Sequence, residues 1–199
     1  MKIEWVYREI MHGVLERDNY RFTQKELSKK CHISIGTVNY ALQRLDEISA
    51  IEKLTRGFRV INPKKILNYW ATIGRLKDKI IYQAQISKTV EEIESEVPHD
   101  AIFTAYSGFK FKFKEVPSDY AEVIVYGDKK SFEERFGEAH AERPNLTVLQ
   151  PDEHLKKFEI APVGQIYVDL WNLNTWYANT FLEKLEEKIN EILESHHSG

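Results

Sequence analysis

The 199-residue chain has one cysteine, Cys31, and no apolar run near the roughly 20 residues that span a bilayer. A single cysteine excludes an internal disulfide and fits a reducing compartment. The opening MKIEWVYREI sets Glu4 and Glu9 where an export signal would be apolar. A cytoplasmic protein without a membrane partner is expected. A large excess of one charge is missing too: the net charge is −3. Hydrophobic residues at 42% and charged residues at 30% fit an ordinary globular chain and argue against disorder.

The small net charge conceals a split. Residues 1–62 hold 11 Lys+Arg against 8 Asp+Glu, a balance of +3. The remaining 17 and 23 give −6 to residues 63–199. Such asymmetry hints at a nucleic-acid-facing end and a different task for the rest.

Catalytic constellations are also wanting. No Walker loop and no G-x-G-x-x-G occurs, and none of the seven histidines forms an H-x-x-x-H or H-E-x-x-H pair. Neither a metal nor another cofactor is expected, and no enzymatic activity. "YSG" at Tyr106 to Gly108 follows an expected strand, as a Gly-Ser turn does in nucleotidyltransferase folds. The carboxylates that would hold Mg²⁺ there are absent, since Phe109 to Lys114 alternate Phe and Lys. A domain of that ancestry would be inactive, and Ser107–Gly108 is read as a turn.

What is present begins with helical spacing. Ile3, Val6, Ile10, Val14 and Leu15 predict a first helix to Arg17. "YRF" fits a very short strand. Thr23 and Glu26 match the capping-box pattern of a second helix ending near Cys31, and His32–Ile33 form a turn. Ser34 is the expected N-cap of a third helix reaching about Asp46. "IEKLTRGFRVIN" then reads as strand, tight turn at Arg56–Gly57, strand. That order is a winged helix-turn-helix.

At about 100° per residue, Ile35, Val38, Leu42 and Leu45 fall within an arc of about 80° and are expected to face the core. The opposite arc carries Gly36, Thr37, Asn39, Tyr40, Gln43 and Arg44. Asn and Gln match adenine edges, and Arg matches guanine. Thr37 and Tyr40 suit phosphate or a thymine methyl, Gly36 allows close approach, and Ser34 suits a phosphate at the helix N-terminus. Arg56 and Arg59 of the wing would touch the DNA backbone or minor groove, with Lys25, Lys29 and Lys30 as supporting phosphate contacts. The bland alternative is a solvated polar face.

Residues 63–199 are expected to form a mixed α/β domain, giving an α+β protein overall. Expected strands are "DKIIYQAQI", "DAIFTAYSG", "FKFKFKEV" (or the start of a helix), "YAEVIVYG", "NLTVLQ" and "KFEIAP". Expected helices are "PKKILNYWATIGRL" as a link, "SKTVEEIESEV", "KKSFEERFG", "VGQIYVDLWNL" and a long final one. If "FKFKFK" is a strand, it is half-buried or else a basic, aromatic-edged nucleic-acid surface. Asp169, among apolar neighbours, needs a partner if buried. The final helix, apolar at Phe181, Leu182, Leu185, Ile189 and Ile192 and acidic opposite, covers the core or pairs with another subunit. Trp171 and Trp176 would suit an interface.

Residues 1–62, with "FTQKELSKKCHISIGTVNYALQRLDEISAIEKLTRGFRVINP", resemble the winged-helix domains of prokaryotic transcriptional regulators. The two-part layout, with Gln165, Tyr167, Asp169 and Leu170 in a "Q-x-Y-x-D-L" helix, is similar to AbiEi-family type IV antitoxins and their archaeal relatives. That resemblance implies a repressor of its own operon, with a second domain that answers to a toxin, another protein or an effector. Double-stranded DNA and a homodimer on a pseudo-palindrome follow as partners. Two alternatives stand beside it: an antitoxin or adaptor that docks on protein, and an RNA- or nucleotide-directed enzyme, which would need a carboxylate cluster around Ser107.

Overall fold

In the computed structural model, which describes residues 2–139 and 142–197 with the His197 side chain excepted, the chain forms two units. One comprises Met1–Gly74, Pro162–Val168 and Glu187–Gly199. The other comprises Arg75–Ala161 and Asp169–Glu186. The first runs past the boundary expected at Pro63. The reason is the helix that Pro63 starts: it buries Ile66, Leu67 and Trp70 and packs on the N-terminal helix.

The first unit opens with α1 (Lys2–Arg17), β1 (Arg21–Phe22) and α2 (Gln24–Cys31). The Thr23 hydroxyl caps α2 by accepting from Glu26 N at 3.1 Å. His32, left-handed at φ 50°, closes that helix. The Ser28 hydroxyl donates to the Ile33 carbonyl at 2.6 Å and fixes the turn. Next come α3 (Ile35–Glu47), β2 (Ile51–Lys53), β3 (Phe58–Val60) and α4 (Pro63–Ile73). The three strands form an antiparallel sheet in the order β1-β3-β2. Cys31 is buried, its thiol directed at the Trp5 carbonyl at 3.5 Å.

The second unit contains β4 (Ile80–Ala84), α5 (Val90–Glu96), β5 (Ile102–Phe103), α6 (Ala105–Phe113), β6 (Val123–Tyr126), α7 (Lys129–Phe136) and β7 (Leu146–Leu149). Its sheet runs β4-β7-β6-β5, with β6 and β7 parallel and the other pairs antiparallel. The central strands VIVY and LTVL are buried at every position, which explains their unbroken apolar runs. Thr89 and Glu92 make the reciprocal capping box of α5. The final helices are α8 (Val163–Trp171) and α9 (Trp176–His197). No helix of the described residues is long and apolar enough to cross a membrane.

Three expectations for this unit are corrected. "DAIFTAYSG" is a strand only at Ile102–Phe103, and Ser107–Gly108 lie inside α6 rather than in a turn. Ala105 enters α6 at φ 48°, while the Thr104 hydroxyl donates to Asp169 at 2.6 Å instead of capping the helix. Of the two readings left open for "FKFKFK", strand or helix, the helical one holds: Phe109–Phe113 complete α6 and Lys114 caps it at φ 57°. Phe109 and Phe113, four residues apart, pack with their rings tilted and centroids 4.9 Å apart, and Phe111 packs edge-on against Phe103 at 4.7 Å. Lys110 pairs with buried Glu94 at 2.7 Å. The alternation is thus met by two helix faces. "KFEIAP" forms only a single bridge, Phe103 to Ile160, after a short 3-10 turn at Leu155–Lys157.

The "Q-x-Y-x-D-L" residues hold structure together. Gln165 accepts from Arg8 Nε at 2.8 Å, and the Tyr167 hydroxyl donates to Asn68 at 2.9 Å, both within the first unit. Asp169, in the second, accepts from Thr104 and from the Tyr126 hydroxyl at 2.9 and 3.0 Å. Leu170 is buried.

Gly57 turns the wing at φ +88°, and a Cβ there would stand 2.1 Å from the Phe22 carbonyl oxygen. Gly57→Ala therefore combines left-handed strain with a backbone clash. It is expected to cost roughly 2–4 kcal/mol, read as a lowered urea midpoint. An unchanged midpoint would contradict the turn geometry.

Candidate nucleic-acid interface

The third helix is built as a two-sided element. Val38, Ala41, Leu42 and Leu45 are buried. Ala41 replaces Ile35 in the expected core stripe: Ile35 is 49% exposed. The correction follows from position. Ile35 is the first helical residue after the N-cap, at the rim of the stripe, where the core no longer reaches it. From α1, the Tyr7 hydroxyl donates to the Ala41 carbonyl at 3.2 Å. Burial pushes the Tyr7 phenol above its ordinary range, so it remains a donor.

The opposite face carries the expected candidates. Gly36, Asn39, Tyr40 and Gln43 are exposed, while Thr37 and Arg44 are half-buried. A Cβ on Gly36 would meet only the Ser34 hydroxyl, at 3.7 Å, so the glycine leaves open space rather than relieving a clash. Ser34 is the N-cap: its Oγ accepts from Thr37 N at 3.1 Å and lies 2.9 Å from the Thr37 hydroxyl. Its hydroxyl is therefore already engaged in holding the helix start.

The cations are less open than the sequence suggests. Arg44 Nη1 donates to Glu47 at 2.9 Å, and its guanidinium lies 5.5 Å from the Tyr40 ring centroid. Hydrogen bonding to Tyr40, then to Glu47, pushes the guanidinium further above its already high range. The Gln43 amide also donates to Glu47, at 3.1 Å. On the wing, Arg59 pairs with Glu52 at 2.8 Å, and Lys53 pairs with Asp46 of α3. Arg56, exposed near the wing tip, meets no carboxylate among the described residues. On α2, Lys30 is paired with Glu9 and Glu26, while Lys25 and Lys29 are exposed. The partner acids Asp46, Glu47 and Glu52 were missed because charge counts do not reveal which cation each one meets.

Between α3 and the wing lies a groove of about 430 Å³, bordered by Asn39, Gln43, Asp46, Lys53, Leu54 and Thr55. Asn39 and Gln43 border this groove with the wing residues Lys53, Leu54 and Thr55, whereas Arg59 lines a separate recess with Tyr20 and Pro63, and Lys25, Lys29 and Lys30 lie on α2. Among the described residues, no three His, Cys, Asp or Glu side chains are grouped to hold a metal ion. His140 and the His197 side chain lie outside the described residues.

A family model described as winged helix-turn-helix DNA-binding matches residues 15–51, from the end of α1 to the start of β2. No curated protein and no solved structure matches the chain significantly. The comparisons thus give no counterpart to the AbiEi resemblance. Residues 15–51 are similar to a winged helix-turn-helix DNA-binding family, and β2 and β3 complete the wing just beyond that segment.

Proposed function

We propose that the protein is a transcriptional repressor that reads operator DNA through the open face of α3. One observation carries this: a rigidly anchored helix presents Asn39, Tyr40, Gln43 and Arg44 outward beside a wing, inside the segment that matches a DNA-binding family. In this reading Asn39, Tyr40, Gln43 and Arg44 enter the major groove, with Gly36 and Thr37 at its edge. Ser34 lies against a phosphate, and Arg56 and Arg59 meet the backbone or minor groove. A single winged helix buries little surface, so two copies on a pseudo-palindrome would supply the affinity.

The second unit is assigned a binding role rather than catalysis. Ser107 is fully buried in α6, closing its hydroxyl to a substrate. Trp176 is 71% and Trp171 41% exposed, which favours a unit that answers to a protein partner. The same tryptophans favour the second reading, an antitoxin or adaptor, in which a toxin or other protein is the principal ligand.

Fluorescence anisotropy with a duplex from the upstream region and a random duplex tests the first reading. Tighter binding to the upstream duplex is expected, with log K falling linearly against log salt. No binding to either duplex at low salt would contradict the reading and favour the adaptor. Within the same assay, Arg44→Ala should weaken specific binding by roughly 1–3 kcal/mol. Glu47→Gln, which frees Arg44 and Gln43 from their acid, should tighten binding roughly threefold. Unchanged affinity in both variants would remove Arg44 from the interface.

A further inference from the structure

Resting on the DNA-binding reading, we infer that the primary base readout is of A·T pairs, with Ile35 on a thymine methyl and Asn39 on an adenine two base pairs away. Three observations converge. First, Ile35 is an apolar side chain left 49% exposed on the helix that carries the candidate base readers. A β-branched hydrocarbon has nothing to offer a phosphate or a guanine edge, whereas the C5 methyl of thymine is the apolar feature of the major groove. Second, Asn39 stands one helical turn further on the same face, exposed and bordering the groove beside the wing. Among the described residues its amide makes no hydrogen bond, so its donor and acceptor are both available for adenine N7 and N6 without breaking any contact. Third, the natural guanine reader is occupied: Arg44 is held by Glu47 and lies beside Tyr40.

The spacing agrees. Four residues of helix rise about 6 Å, close to two base-pair steps of about 3.4 Å. Ile35 lies at the N-terminal start of α3, the part of a recognition helix that contacts base edges. Gly36 beside it adds no side chain that would hold the backbone away from the groove. Gln43 continues the line one turn beyond Asn39. It gives a second adenine contact only by leaving Glu47, to which it now donates. Ile35 and Asn39 are therefore the side chains ready to read without rearrangement.

The test begins with selection of bound duplexes from a random library by the full chain. An A·T-rich core is expected. In the selected site, each thymine is then replaced by uracil, which deletes only the methyl, and each adenine by 7-deazaadenine, which deletes N7. Wild-type protein should lose roughly fourfold affinity at one uracil position, the value of one buried methyl group. It should lose roughly tenfold at one 7-deazaadenine position. Ile35→Ala should be indifferent to that uracil yet still sense the deazaadenine, and Asn39→Ala the reverse. Both side chains are exposed, and unchanged thermal melting would confirm that the variants fold.

A G·C core, or wild-type affinity indifferent to every uracil and deazaadenine, would overturn this inference while leaving DNA binding intact. Failure to enrich any duplex, with no binding at low salt, would overturn the inference together with the reading beneath it.

Discussion

Val38, Ala41, Leu42 and Leu45 lie along one edge of α3 and are sealed in the core of the first unit. Their burial fixes the rotation of the helix about its own axis. Rolling it by one residue would carry Asn39 or Gln43 into an apolar interior, where an unpaired amide costs on the order of 1–3 kcal/mol. The Tyr7–Ala41 hydrogen bond adds a second, directional tether. Because the helix cannot roll, the face that carries Ile35, Gly36, Asn39, Tyr40 and Gln43 stays open, and the side chains on it keep a constant spacing.

The surface so presented is polar without being strongly positive. Arg44, Lys53 and Arg59 each meet an acid, from Glu47, Asp46 and Glu52 respectively. Exposed ion pairs of this kind are worth little to stability. Their effect falls on binding, because a phosphate must compete with a carboxylate already in place. A winged helix with its cations partly neutralised gains less from indiscriminate phosphate contact and depends more on base edges. This suits discrimination between sites better than tight binding to any duplex.

Most of the first unit was legible in the sequence, because its signals are local. Thr23 and Ser34 cap the helices they were expected to cap, and Arg56–Gly57 turns the wing. The exception at Ile35 shows the limit of periodicity: angle around the helix is visible in sequence, but whether the core extends to the first turn is not. The second unit was less legible because its determinants are distant in the chain. The start of α6 depends on Thr104 donating to Asp169, 65 residues away. The same aromatic alternation that suggests a strand in "FKFKFK" serves a helix once Phe103 and Phe181 are there to receive its rings. Likewise, Glu4, Arg8 and Glu9 are buried although charged. No spacing rule signals this, since Gln165, which receives Arg8, lies 157 residues away.

The central claim is that the open face of α3, with the wing, is the DNA-facing surface. It is tested most directly by amide chemical-shift mapping of the full chain as duplex DNA is added. The account predicts shifts concentrated at residues 34–44 and at the wing, residues 54–59, with the amides of β6 and β7 unmoved. Shifts confined to the second unit, or absent from α3 while DNA is bound, would contradict it.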